Sequence, residues 1–102
     1  MSEIIFTTAF VPLSEYYAEI TYNCVASFAG QYDRLIIVQN GLGPIPYELQ
    51  ELADLYIVSK YNRTHAGAVN ICSRLASPDD FLVFANNDCV NEDTDLHNLC
   101  MI

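Results

Sequence analysis

Short apolar segments alternate along the chain with segments whose apolar residues repeat at helical spacing. Four apolar segments, rich in β-branched and aromatic residues, predict strands at residues 4–10, 34–38, 55–58 and 81–85. Between Ser14 and Gly30 apolar residues recur every three or four positions, which predicts a helix with Ser14 as its N-cap. Strands that alternate with helices predict a parallel sheet covered by helices on both faces.

The remaining segments complete a single α/β unit. Helices are predicted from Pro46 to Ala53, from Ala68 to Ala76, and from a cap at Thr94 or Asp95 through Ile102. Turn residues follow the second strand at 39–44, and residues 62–67 are predicted to form a polar loop. No repeat or linker interrupts the sequence. Residues 1–102 are therefore predicted to form one domain, with a Rossmann-like, open, mainly parallel sheet of about four strands.

Composition and charge exclude several classes of partner. Hydrophobic residues make up 52% of the chain and charged residues 17%, which is typical of a globular protein. The formal charge of −9 would repel nucleic acid and anionic membrane surfaces. No apolar run approaches the roughly 20 residues of a membrane span, and the first ten residues resemble a strand more than a signal peptide. The 4 cysteines lack C-x-x-C pairing, which favours buried thiols in a cytoplasmic protein.

Polar side chains cluster at the predicted carboxyl ends of all four strands. The clusters are Thr7-Thr8, Gln39-Asn40-Gly41, Asn62 with His65, and Asn86-Asn87-Asp88. Right-handed crossovers place the carboxyl ends of parallel strands at one edge of a sheet, so the clusters are expected to converge. Asp88 offers oxygen ligands for a divalent cation, which would in turn hold phosphates. Turns are polar in most proteins, and turn chemistry alone explains the clusters equally well.

Taken in order, the clusters resemble the glycosyltransferases of the GT-A fold, and most closely glycosyltransferase family 2. Members begin with a strand that ends near a Thr, and their second strand ends in a D-N-G or D-D-G turn, where this chain has Gln39-Asn40-Gly41. An Asn-rich loop, N-x-G-x-x-G-x-x-N, follows in the family. Residues 62–70 match both asparagines and the second glycine, and Thr64 replaces the first glycine. The fourth strand then ends in Asn86-Asn87-Asp88, which is similar to the N-N-D form of rhamnosyltransferase-like members.

The resemblance implies that the clusters bind a nucleotide-diphosphate sugar, linked to UDP, dTDP or GDP. Thr7 and Thr8 would lie beside the base and ribose. Gln39 and Asn40 stand where members often have aspartates that hydrogen-bond the base, and an amide can both donate and accept there. The Asn-rich loop would place backbone amides and a helix N-terminus near the nucleotide. Its matching residues are Asn62, Gly67 and Asn70.

The resemblance also implies a divalent cation at the end of the fourth strand. Asp88 would ligate Mg²⁺ or Mn²⁺ that bridges the two phosphates and neutralises the leaving nucleoside diphosphate. Asn86 would contact the ribose or donor sugar, and Asn87 of the same motif would also bind the nucleotide. His65 lies outside the family motif, and we interpret it as a solvated loop histidine.

The sequence leaves three functional interpretations open. In the first, the chain is the N-terminal, nucleotide-binding half of a family-2-like glycosyltransferase. The acceptor-binding half and the general base are then expected outside it, and a second copy or a complementary chain is the expected partner. In the second, the chain is a non-catalytic, degenerate module that assembles or binds nucleotide weakly, which the departures at Gln39, Asn40, Thr64 and Asn86 favour. In the third, it is an α/β nucleotide-binding domain of another family, although it lacks G-x-G-x-x-G and a P-loop.

Overall fold

The computed structural model describes residues 2–93 and 95–97 and confirms the α/β architecture. The elements, in chain order, are β1 (Ile4–Phe10), α1 (Glu15–Ser27), β2 (Arg34–Asn40), α2 (Tyr47–Leu52), β3 (Leu55–Ser59), α3 (Thr64–Leu75) and β4 (Phe81–Phe84). Each of the four predicted strands is present. Within the described residues, no helix is both long enough and apolar enough to cross a membrane.

The four strands form one parallel sheet in the order β3-β2-β1-β4. β1 pairs with β2 on one side and with β4 on the other. The chain therefore extends the sheet in one direction through β2 and β3, and then crosses back to add β4 on the opposite side of β1. Open α/β sheets bind ligands at the carboxyl edge where the strand order reverses in this way.

Helices cover both faces of the sheet, as predicted. α1 and α2 pack on one face, where the ring of Phe6 in β1 lies 4.7 Å from that of Phe28. α3 covers the other face, where Ala68 and Cys72 pack against Ile5 and its neighbours. Every residue of β1 is buried because the strand has a helical layer on each side.

Among the element boundaries that differ from the prediction, those of β2 and α3 matter most at the sheet edge. β2 runs through Asn40, although a turn was predicted from Gln39 onwards. Gln39 and Asn40 pair with Val58 and Ser59 of β3, so hydrogen bonds to a neighbouring strand extend β2 beyond its apolar run. α3 begins at Thr64, and most of the predicted polar loop is therefore its first turn.

The segment after β4 returns to the face covered by α1. The backbone N–H of Asn91 donates to Ser27 Oγ at 2.9 Å, and that of Leu96 donates to Gln31 Oε1 at 2.8 Å. Leu96 is buried in the same core as Phe6. The predicted last helix, capped by Thr94 or Asp95, falls mostly on residues 94 and 98–102, which lie outside the described residues.

Candidate functional site

A cavity of about 300 Å³ lies at the carboxyl edge of the sheet. Its wall takes residues from the end of β1, from α1, from the end of β2, from the start of α3 and from the turn after β4. The lining residues are Ala9, Phe10, Val11, Leu13, Tyr17, Asn40, Asn62, Thr64, His65 and Asn87. Since residues after β1 and after β4 both contribute, the cavity occupies the point where the strand order reverses.

Three of the predicted site residues line this cavity, namely Asn40, Asn62 and Asn87. They come from the ends of three different strands and are separated by up to 47 positions in the sequence. The convergence expected from parallel topology is therefore found for members of three clusters, and the cluster of Asn62 with His65 contributes both of its residues. Each of these asparagines also has a structural role, which fixes the position of its amide.

Asn40 joins the end of β2 to the start of α3. Its side-chain N–H₂ donates to the carbonyl of Thr64 at 3.3 Å, and its Oδ1 accepts the backbone N–H of Arg63 at 3.4 Å. Only 3% of the residue is exposed, so most of the amide is committed to this connection. A ligand in the cavity would meet the edge of a fixed amide group.

The entry to α3 is held in an unusual conformation. Asn62 Oδ1 accepts the backbone N–H of Thr64 at 2.9 Å, and Thr64 has a φ of +64°. A positive φ is strained for a β-branched residue, and such strain often accompanies functional sites. The family motif named above has a glycine at this position, which is the residue that adopts this conformation without strain. Thr64 therefore keeps the positive φ that glycine would adopt at this position, although it carries a β-branched side chain.

The residues after β4 form a tight turn against α1. The N–H of Cys89 donates to the carbonyl of Asn86 at 3.0 Å, and the amide of Asn87 donates to Thr21 Oγ1 at 3.1 Å. Asn87 thereby faces the cavity, whereas Asn86 and Asp88 are exposed and do not line it. The N-N-D motif thus contributes one side chain to the cavity wall and leaves its carboxylate at the surface beside it.

The thiol of Cys24 lies directly under this turn. Its Sγ donates to the carbonyl of Asn86 at 3.5 Å, and the side chain is fully buried. Burial, followed by the charges of Cys89 and Asp88, raises the pKa of the Cys24 thiol to about 11. Cys24 is therefore a neutral packing residue at pH 7, consistent with the buried thiols expected from the sequence.

Thr7 and Thr8 do not reach the cavity. They lie in the middle of β1, three and two residues before its end, so their expected position at the strand terminus is wrong. Both are fully buried. Thr7 Oγ1 is hydrogen-bonded to the Sγ of Cys72 at 3.1 Å, and Thr8 Oγ1 donates to the carbonyl of Ala85 at 2.8 Å. In this conformation neither hydroxyl has an exposed surface that a base or ribose could contact.

Gln39 is likewise buried and committed to other groups. Its side-chain N–H₂ donates to the carbonyls of Gly41 at 3.1 Å and Gly43 at 3.3 Å, and its Oε1 accepts the hydroxyl of Tyr56. Burial raises the pKa of the Tyr56 hydroxyl to about 12, so this hydroxyl remains a donor. Gln39 holds the loop after β2 in place, and all of its amide atoms are used in doing so.

Gly67 and Asn70 lie further along α3, outside the cavity wall. A Cβ on Gly67 would come within 2.5 Å of the Cβ of Arg63, so the glycine allows the helix to start against that residue. Gly67 therefore makes room for the side chain of Arg63. The sequence had suggested that this glycine lets a nucleotide approach the backbone closely. Asn70 is exposed, and its carbonyl accepts the hydroxyl of Ser73 at 2.9 Å.

Tyr17 and His65 also line the cavity. The sequence placed His65 in a converging cluster but gave it no role in binding, and it gave Tyr17 no site role. His65 belongs to the first turn of α3, and its ring meets the ring of Phe84 edge-on at 5.5 Å. It was interpreted as a loop histidine because the start of α3 was predicted four residues too late. Tyr17 lies in the first turn of α1 and is 38% exposed. Its position in an amphipathic helix gave no signal that distinguishes a cavity wall from a packed rim.

The donor groups around the cavity suit a cation that a bound ligand helps to hold. Among the described residues, no group of three His, Cys, Asp or Glu side chains could hold a metal ion. Asp88 supplies one exposed carboxylate. Mg²⁺ usually binds one or two protein carboxylates and completes its coordination with water and substrate phosphates. Asp88 therefore fits Mg²⁺ or Mn²⁺ only in the presence of a diphosphate.

The cavity combines amide groups, one imidazole and aromatic surface with the start of a helix, and no Lys or Arg lines it. Amide side chains can donate and accept hydrogen bonds at once, whereas the helix start presents backbone N–H groups that favour an anion. This chemistry suits a neutral hydrogen-bonding group joined to an anionic one. Comparison with protein family models, curated proteins and solved structures found no match to this chain.

Proposed function

We propose that this domain binds a nucleotide-diphosphate sugar at the carboxyl edge of its sheet and takes part in glycosyl transfer. The observation that carries the proposal is the cavity at the point where the strand order reverses, lined by Asn40, Asn62 and Asn87. Ligands of open α/β sheets bind at this point because loops from both sides of the sheet diverge there.

The cavity wall supports distinct contacts for the parts of a nucleotide. Tyr17 offers a partly exposed ring for stacking against a base, and stacking tolerates any of the common bases. The amides of Asn40 and Asn87 suit the polar edges of a base or the hydroxyls of a ribose. The first turn of α3 begins at the cavity and favours the negative charge of a phosphate. His65, in that same turn, adds a further hydrogen-bonding group.

A divalent cation, Mg²⁺ or Mn²⁺, completes the proposal. Asp88 would hold it beside the cavity together with the diphosphate, which supplies the remaining charge and ligands. When bound, such a cation offsets the negative charge that develops on a departing nucleoside diphosphate. The chain has a charge of −9 and no Lys or Arg lines the cavity, so a cation is the main source of positive charge for an anionic ligand.

A second candidate is a non-catalytic module that retains weak nucleotide binding. The burial of Gln39, Thr7 and Thr8 favours it, because three of the residues expected to contact the nucleotide are unavailable in this conformation. Both candidates predict nucleotide binding at the same cavity. They differ in turnover, since the second predicts binding without hydrolysis or transfer of the sugar.

Calorimetric titration with UDP, dTDP and GDP, with and without Mn²⁺, tests the proposal. We expect one of the three to bind, and Mn²⁺ to increase its affinity about tenfold or more, which corresponds to ~1.4 kcal/mol. Asp88→Asn should remove the effect of Mn²⁺ and leave metal-free binding unchanged. Asp79→Asn is the matched control, because Asp79 is an exposed aspartate that does not line the cavity.

Two results would contradict the proposal in different ways. If none of the three nucleotides binds, the cavity is not a nucleotide site and both candidates fail. If binding is equal with and without Mn²⁺ in the wild type and in Asp88→Asn, the nucleotide site stands and the cation does not. Incubation of the bound nucleotide sugar, with release of nucleoside diphosphate as the readout, then separates the enzyme from the non-catalytic module.

A further inference from the structure

A second and larger cavity, of about 750 Å³, lies outside the sheet edge between α1 and α2. Its floor is Leu49, which is fully buried, and the end of β1 at Phe10. Proline and aliphatic residues of the two flanking loops, including Leu13 and Ile45, form much of the remaining wall. Its volume is within the range of about 300–1,000 Å³ that small-molecule sites occupy, and its walls are mainly apolar as such sites require.

The charged groups of this cavity are all negative. Glu15 and Glu19 project from α1 one turn apart, and Glu48 projects from the first turn of α2. No Lys, Arg or His lines the cavity. The one salt bridge found among the described residues joins Arg34 to Glu3, so none of the three glutamates has a cationic partner there. Like charges spaced four residues apart on a helix repel each other, and a bound cation would relieve that repulsion.

Tyr22 adds an aromatic surface to the same wall and is 40% exposed. Aromatic faces attract organic cations, and carboxylates beside them strengthen that attraction. Apolar walls, an aromatic face and uncompensated carboxylates together define the chemistry of a complementary ligand. That ligand has an apolar body and a substituted ammonium group.

We propose that the cavity between α1 and α2 is a binding site for a small apolar ammonium compound, with Glu15, Glu19 and Glu48 recognising the cation. This site is distinct from the cavity at the sheet edge and does not depend on nucleotide binding. The two cavities share Phe10 and Leu13 in their walls, so both can be occupied only if each ligand remains on its own side of these residues.

Three indole compounds with different terminal groups test the charge selection. Tryptamine carries an ammonium group at pH 7, because alkylammonium groups titrate near ~10.4 as lysine does. Tryptophol is its neutral analogue, and indole-3-acetate is its anionic analogue. We expect tryptamine to bind about tenfold more tightly than tryptophol, and indole-3-acetate to bind more weakly than both. Chemical shift changes at Tyr22 and Leu49, followed by NMR during titration, report binding at this cavity.

A matched pair of double variants separates local recognition from the net charge of the chain. Glu19→Gln with Glu48→Gln removes two of the three carboxylates from the cavity wall and should reduce the affinity for tryptamine most of the way to that for tryptophol. Glu51→Gln with Glu92→Gln removes two exposed carboxylates elsewhere and should leave the preference unchanged. All four positions are exposed, so folding should be retained, and thermal melts of both variants check this.

Three results would overturn the proposal. Equal affinities for the three indoles would show an apolar cavity without charge selection. An equal loss of tryptamine binding in both double variants would show attraction by the overall charge of −9 alone. Failure of all three compounds to shift Tyr22 or Leu49 at millimolar concentration would show that the cavity takes no ligand of this class.

Discussion

Thr64 adopts a strained backbone conformation beside the cavity at the sheet edge. Among the described residues it is the only one other than glycine with a positive φ. Thr64→Gly should raise the free energy of unfolding by ~1 kcal/mol, because glycine relieves strain of about 1–3 kcal/mol and loses part of that gain as backbone entropy. Urea denaturation measures the change. Thr64→Ala is the control, since alanine keeps the Cβ and should give no such increase; equal gains in both variants would contradict the explanation.

At the scale of single residues, the sequence placed three asparagines at the sheet edge correctly, whereas it misplaced the two threonines of β1. Asn40, Asn62 and Asn87 follow or end apolar runs, and the parallel sheet brings such positions together. Thr7 and Thr8 were assigned to the same edge because the family that the clusters resemble begins with a strand that ends near a Thr, although the strand itself was predicted to run to Phe10. The strand does run to Phe10, as predicted, and both threonines lie inside it, where each hydroxyl finds a buried partner. Those partners come from α3 and from the segment after β4, about 65 and 77 positions away, and no local pattern could identify them.

At the scale of elements, Gln39 couples β2, β3 and the loop that leads to α2. Its amide contacts two loop carbonyls, and Tyr56 of β3 donates to its carbonyl oxygen. The sequence placed Gln39 in a turn and next to a base. In the structure Gln39 pairs with Val58 as part of β2, and its side chain lies buried inside the domain. The position of the loop that borders the α1–α2 cavity therefore depends on a residue that does not line that cavity.

Replacement of Gln39 by glutamate should destabilise this junction in a pH-dependent way. The introduced carboxylate would face the carbonyls of Gly41 and Gly43 in a fully buried position, which should cost ~3 kcal/mol or more at pH 7. Burial raises the pKa of such a carboxyl above the value of about 4.3 in an unfolded chain. The loss should thus be small below about pH 4 and grow as pH rises through the folded-state pKa.

Urea denaturation of Gln39→Glu at several pH values tests this expectation. Gln39→Met is the matched control, because it removes the same hydrogen bonds without adding a charge. It should cost ~1–3 kcal/mol at every pH, through the loss of a partner for Tyr56 and for the loop carbonyls. If Gln39→Glu and Gln39→Met lose the same stability at pH 7, solvent reaches the side chain and the buried junction does not exist in solution.

The boundaries of the helices could be predicted only in part. Composition predicted α3 from Ala68, whereas the helix starts at Thr64. The four additional residues are held by Asn40, which bonds to Arg63 and Thr64 from the neighbouring strand end. A contact made across the fold therefore sets the helix start, and it moves His65 from a loop into the cavity wall. Local propensity identifies the element, and tertiary contacts set its ends.

At the scale of the whole molecule, the sheet order creates two neighbouring cavities with different chemistry. The cavity at the strand-order reversal is lined by amides and a helix start, and the cavity between α1 and α2 is lined by carboxylates and apolar residues. Phe10, the last residue of β1, belongs to both. β1 lies inside the sheet and is buried throughout, so its end forms a buried wall shared by the two cavities. If both proposals hold, a chain with charge −9 binds an anion and an organic cation in adjoining cavities.

The carboxylate of Asp80 links the segments that lead into β1 and β4, and these hydrogen bonds should weaken in acid. Asp80 accepts the backbone N–H of Ser77 at 2.9 Å and that of Glu3 at 3.0 Å, and these two donors, in that order, hold its pKa below the ordinary value. A lowered pKa stabilises the fold above the unfolded value of about 3.9 and ceases to do so as pH falls through the folded value. The two N–H groups bond different oxygens of the Asp80 carboxylate, and an amide has only one accepting oxygen. Asp80→Asn should therefore lower the urea midpoint at pH 7, and the difference from wild type should shrink below about pH 4. Asp79→Asn removes the neighbouring charge and should match the wild type throughout. A difference between wild type and Asp80→Asn that is the same at pH 7 and pH 3 would show that the carboxylate charge does not hold β1 and β4 together.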